Sequence, residues 1–161
     1  MRYGMRYASP VGWLNVVTTE DAVTELRMER QKSEETVWKE GQTPLLNAVS
    51  EWLNAYFEGK APSAKDLPLK PSGSAFQKRV WELLCEIPYG KTTTYGALAK
   101  IIASERGIVR MSAQAVGGAV GRNPIGIIIP CHRVIGADGS LIGYAGGLDV
   151  KRRLLELEGA L

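Results

Sequence analysis

One histidine, two cysteines and two phenylalanines are all that 161 residues contain of those types. So few His and Cys leave no zinc-ligand spacing and no disulfide framework, so Cys85 and Cys131 read as cytosolic thiols, with no metal expected. No apolar run approaches the roughly 20 residues of a membrane span, and the opening MRYGMRYASPVGWLNV lacks the apolar core of a secretory signal. A cytoplasmic monomer without a membrane partner is expected. Internal repeats and low-complexity tracts are also missing.

What is present fits an ordinary globular chain, with 45% hydrophobic and 23% charged residues. The net charge of +3 is unevenly spread: residues 1–73 carry nine Lys/Arg against ten Asp/Glu, and residues 74–161 carry eleven against seven. The halves therefore differ as −1 and +4, and the basic half is the candidate for a polyanionic partner.

The first thirty residues read as strands. MRYGMRYAS, GWLNVVTT and AVTELRMER are rich in Val, Tyr, Trp and Thr, with turn signals at Ser9-Pro10 and Glu20-Asp21. TPLLNAVSEWLNAYFEG repeats apolar residues at one-face helical spacing, with Thr43 as cap, Pro44 at the first position and Gly59 closing it. KAPSAKDLPLKPSGS, dense in proline and serine, reads as a linker. Beyond it SAFQKRVWELLCEIP predicts a helix that stops before Pro88 and carries Phe76, Val80, Leu83, Leu84 and Ile87 on one face, with Cys85 as a small buried hydrophobe. TTYGALAKIIASERG predicts a second helix, Ser112 to about Arg122 a third, and GGLDVKRRLLELEG a last one with Leu148, Leu154, Leu155 and Leu157 inward. IGIIIP is too short for a helix and reads as extended or buried. The fold expected is α+β: a small N-terminal antiparallel sheet plus helix over residues 1–70, joined to a mainly helical domain with a helix-turn-helix over residues 71–161.

Few motifs carry chemistry. YGKTTT lacks the first glycine of a P-loop, since Cys85 stands in its place. VGGAVG lacks dinucleotide-binding spacing, and its glycines fall inside a predicted helix, where each costs about 1 kcal/mol relative to alanine. Such glycines need a reason, and close approach of another backbone is one. The second and third helices suit a helix-turn-helix, flanked by Arg106, Arg110 and Arg122, although solvated arginines read equally well. A thiol reacts as thiolate, and Cys131-His132 holds the only imidazole beside a thiol. Neighbours in a strand point to opposite faces, so direct pairing needs a turn or a bridging water. Pro130 favours a turn. From the residues alone, Glu158 is a charge near a helix end, Asn123 a helix cap before Pro124, and Tyr95 an aromatic at a helix start.

NPIGIIIPCHRVIGADGSLIGYAGGLDVKRRLLELEG closely resembles the active-site region of the O6-alkylguanine-DNA alkyltransferases. IPYGKTTTYGALA and the preceding FQKRVWE resemble the same family, so that the likeness runs from Phe76 to Gly159, and YASPVGWLNV resembles its variable sheet domain. The resemblance implies double-stranded DNA containing O6-alkylguanine as partner, approached through the minor groove, with O4-alkylthymine as a further candidate substrate. The nucleotide is flipped out and its alkyl group moves irreversibly to Cys131, once per molecule and without a cofactor. By the same resemblance His132 deprotonates Cys131 through a water, Glu158 orients His132, Asn123 stabilises the Cys loop, and Tyr95 supports the flipped nucleotide and protonates the leaving guanine. Tyr144, Ala145, Gly146, Val134 and Pro130 line the alkyl pocket. Thr94, Ser112, Ala113, Gln114, Ala115, Gly117, Gly118 and Arg122 face DNA. One departure stands out: the family usually has arginine where this chain has Gln114. Relatives that only bind damaged DNA resemble the pattern with tryptophan in place of the cysteine, and here the cysteine is present. A thiol hydrolase lacks an identifiable oxyanion site, and a transcription factor leaves Cys131 idle.

Overall fold

The computed structural model describes residues 1–31 and 39–161, which divide into two units. Residues 1–72 together with 124–129 form the first, and residues 73–123 with 130–161 the second.

In the first unit β1 (Tyr3–Ser9), β2 (Gly12–Thr18) and β3 (Val23–Met28) make an antiparallel meander, as their alternating pattern predicts. A two-residue strand, β4 (Lys39–Glu40), pairs parallel with β1, giving the order β3-β2-β1-β4. Helix α1 (Pro44–Phe57) buries Leu46, Val49, Trp52, Leu53 and Tyr56. Its cap is Thr43, whose side chain accepts the amide of Leu46 at 3.1 Å. The proline-rich segment after α1 is better ordered than a linker suggests. Ser63 and Asp66 close a capping box around a short turn, Leu67 is buried, and Lys70 donates its amide to Val23. IGIIIP is buried as expected, because residues 124–129 return to the first unit and exchange backbone hydrogen bonds with Leu26 of β3, each 2.9 Å long.

The second unit holds α2 (Ala75–Leu84), α3 (Tyr95–Arg106), α4 (Ala113–Gly121) and α5 (Leu148–Leu157). Three starts are explained locally: Ser74, Thr94 and Ser112 cap α2, α3 and α4 through side-chain oxygens. Gly107 ends α3 at φ 64°, a left-handed position that suits glycine. The apolar face of α2 includes Trp81, which periodicity did not single out; it is fully packed and donates its indole N–H to the Ala119 carbonyl of α4 at 2.9 Å. Three expectations fail here. Cys85 is half-buried at the end of α2 rather than a core residue, because the helix stops before it. Leu148 and Leu157 are 49% and 39% exposed, and the face of α5 that they were expected to share instead buries Val150, Lys151, Leu154 and Leu155. A lysine thus occupies a position that periodicity reserves for an apolar side chain.

Candidate active site

Cys131, His132 and Arg133 form one turn of 3-10 helix, entered through Pro130. The turn geometry that Pro130 favoured is present, and Cys131 and His132 are both buried. Directly after the turn, β6 (Val134–Ile135) pairs parallel with β5 (Thr93–Thr94), so Val134 lies opposite Thr93 and Ile135 opposite Thr94. This two-residue ladder ties the start of α3, where Tyr95 stands, to the turn that carries Cys131.

Glu158 is the hub behind the turn. It caps α5, and its Oε2 lies 2.6 Å from His132 Nε2. A carboxylate only accepts, so the imidazole proton sits on Nε2 and Nδ1 carries the lone pair. Arg133 forks onto the same carboxylate, Nε to Oε1 at 2.8 Å and Nη2 to Oε2 at 3.1 Å, while Nη1 donates to the Ile87 carbonyl at 2.7 Å. Gly90 adds its amide to Oε1 at 3.0 Å. Gly90 needs to be glycine: its φ is 80°, and a Cβ there would stand 3.0 Å from the Glu158 carbonyl oxygen.

Burial sets the proton balance. It pushes the Cys131 thiol up, against a hydrogen bond from Asn123 and the nearby Lys151 charge, which pull it down without prevailing. Burial also lowers His132, opposed by the Glu158 hydrogen bond and charge. At neutral pH the site therefore rests as a neutral thiol beside a neutral imidazole whose Nδ1 is unprotonated. Tyr95 and Tyr144 are both raised, chiefly by burial, so both remain protonated donors. The Tyr95 hydroxyl donates to the Ile142 carbonyl at 2.9 Å. The Tyr144 hydroxyl is buried and meets no acceptor among the described residues.

Cys131, His132, Glu158, Asn123 and Tyr95 thus gather in the second unit, together with Val134 and the segment 142–147 that bears Tyr144, Ala145 and Gly146. Asn123 lies one residue past the actual cap of α4, Arg122, and is buried. That removes the plain-cap reading. Thr94 and Ser112 are capping residues through their hydroxyls, accepting the amides of Ala97 at 3.1 Å and Ala115 at 3.2 Å. Ala113, Gln114, Ala115, Gly118 and Arg122 are exposed along or just after α4. The fold itself does not require the glycines of this helix. A Cβ on Gly118 would meet nothing within 4 Å, and one on Gly117 would make ordinary contact with the Tyr95 ring at 3.6 Å.

Three contributors were missed from sequence: Arg133, Gly90 and Lys151. Lys151 is fully buried, donates to the carbonyls of Ile142 at 2.9 Å and Gly143 at 3.2 Å, and is lowered to about 8, chiefly by burial. Its signal was legible, since Lys151 falls three residues before Leu154 and seven before Glu158, on the buried face of α5.

Comparison with known proteins points one way. Residues 75–160 match the family model of the 6-O-methylguanine DNA methyltransferase DNA binding domain, and residues 1–71 that of its ribonuclease-like domain. The methylated-DNA–protein-cysteine methyltransferase of Methanosarcina acetivorans is 44% identical over 157 residues, covering 96% of both chains. That of Haemophilus influenzae is 42% identical over 158 residues, covering 97% of this chain and 86% of its own. Among solved structures, Mycobacterium tuberculosis OGT in complex with DNA is similar with a TM-score of 0.86 at 44% identity, covering 98% of this chain and 93% of that one. The O6-methylguanine-DNA methyltransferase of Pyrococcus kodakaraensis has a TM-score of 0.72 at 25% identity, with 99% of each chain covered.

Proposed function

The chain belongs to the 6-O-methylguanine DNA methyltransferase family, and on that footing we propose how its own residues carry out alkyl transfer from DNA. It is a methylated-DNA–protein-cysteine methyltransferase, a DNA repair protein that reverses the damage directly. The observation that supports the residue roles is His132 Nε2 turned to the Glu158 carboxylate at 2.6 Å, in the same turn that carries Cys131.

The duplex is met through the minor groove by α4, whose exposed small residues and Gln114 lie against the backbone while the damaged nucleotide is flipped, at a cost of a few kcal/mol. Inside the pocket the Cys131 proton passes through a water to His132 Nδ1, and Glu158, clamped by Arg133, stabilises the imidazolium that forms. The Cys131 sulfur then bonds the alkyl carbon as the carbon–O6 bond breaks. The electron pair of that bond stays with guanine, and the Tyr95 hydroxyl supplies the proton that leaves it neutral. Asn123 holds the Cys131 turn through its hydrogen bond to the thiol. Tyr144, whose buried hydroxyl meets no acceptor among the described residues, finds one on the bound base. The product is S-alkylcysteine with no second substrate to remove it, so each molecule acts once. Cytoplasmic placement, a monomeric state and acceptance of O4-alkylthymine belong to the same proposal.

A non-catalytic damage binder is the weaker reading, because the sulfur it would lack is present. Restoration of a restriction site blocked by O6-methylguanine tests the reaction: cleavable duplex should rise to one equivalent per protein and stop. A rise that continues past one equivalent contradicts it.

A further inference from the structure

Lys151 is not needed by the proton relay, yet it is the only lysine side chain among the described residues that is wholly withdrawn from solvent. It stands in the first turn of α5, and its ammonium lies 6.0 Å from the centre of the Tyr95 ring. Both side chains converge on one atom. The Ile142 carbonyl accepts the Tyr95 hydroxyl at 2.9 Å and the Lys151 ammonium at 2.9 Å.

That shared acceptor carries a consequence for the reaction. A hydroxyl bonded to Ile142 cannot at the same time donate to a departing guanine, so Tyr95 has to leave the carbonyl during transfer. Were it the sole donor, leaving would release the carbonyl of this half-exposed residue to water and loosen the hold on its segment. The geometry points to Lys151 as a positioning residue for alkyl transfer: its ammonium keeps the Ile142 carbonyl satisfied and segment 142–143 in place while the Tyr95 hydroxyl turns to the purine. This inference rests on the alkyl-transfer reading and on Tyr95 as the proton donor. A second route exists by which the same ammonium acts, since its charge faces Cys131 and His132 from α5 and favours the thiolate. The two routes differ in whether Tyr95 is required.

A double-mutant cycle separates them. Wild type, Lys151→Met, Tyr95→Phe and the double variant are mixed in excess with O6-methylguanine duplex, and the single-turnover rate at saturation and the Kd are measured apart. Lys151→Met should lower the saturating rate about tenfold or more while leaving Kd within about twofold. In the Tyr95→Phe background it should cost little further. Equal losses in both backgrounds would overturn the inference in favour of a direct charge effect on Cys131, and an unchanged rate would overturn it outright. Circular dichroism melting of each variant reports whether the fold is retained, and Lys151→Arg, which keeps a cationic donor, should recover part of the rate. Failure of the wild type to transfer methyl in this assay would instead overturn the alkyl-transfer reading, and this inference with it.

Discussion

A buried lysine is costly to a fold, and Lys151 makes the cost measurable. Its ammonium titrates near 8 against an ordinary 10.5, so at pH 7 the folded state holds a charge that the unfolded chain carries more easily. The folded pKa is below the unfolded one, so the penalty is complete below about 8 and fades as pH rises toward 10.5, and by linkage it amounts to roughly 3 kcal/mol. Lys151→Met is therefore expected to raise Tm at pH 7 by several degrees, less what the lost carbonyl hydrogen bonds take back, while slowing transfer. The gain should shrink between pH 8 and 10.5. Glu158 behaves oppositely. Glu158→Gln leaves Arg133 buried against an amide and should destabilise the protein by about 3 kcal/mol or more, seen as a lower urea midpoint with unchanged slope. His132 adds an acid-side effect: its folded pKa is lowered, so the unfolded state gains a proton first as pH falls through about 6.5. Stability should decline on that side, and the acid limb of the transfer rate should lie below 6.5.

Helix α4 shows why element boundaries were legible while contacts were not. Thr43 announces its helix by a short-range rule, an oxygen accepting an amide three residues on, and Ser74, Thr94 and Ser112 follow the same rule at α2, α3 and α4. The burial of Trp81 against Ala119 and the Gly90 contact behind Glu158 depend on residues 38 and 68 positions away, which periodicity does not report. The Cys131-His132-Glu158 set was legible only through its resemblance to a family, since nothing in the spacing of 26 residues between His132 and Glu158 draws them together. The glycines of α4 invert the usual argument. Open space around Gly118 means that the fold does not need it, so Gly118→Ala should raise stability by up to about 1 kcal/mol. If α4 meets a DNA backbone at this face, the same substitution should weaken duplex binding, and Gly118→Val should weaken it more, as read by fluorescence anisotropy.

At the scale of the molecule, residues 74–161 carry the charge excess, and Gln114, proposed to meet DNA, adds no charge to it. Gln114→Arg adds one cation at the start of α4, where the family usually carries one. It should tighten duplex binding and steepen the salt dependence of log Kd by at most about one unit, whereas an unchanged Kd and transfer rate would show that Gln114 does not fill the gap left by the flipped nucleotide. The proposed repair reaction stands on the sulfur of Cys131 accepting the alkyl group once. The most direct test is intact-protein mass spectrometry after incubation with O6-methylguanine duplex, followed by peptide mapping. The expected result is a gain of one methylene unit, located on Cys131, absent from Cys131→Ala and unaltered by excess substrate. No gain on the wild type, or a gain that survives Cys131→Ala, would contradict it.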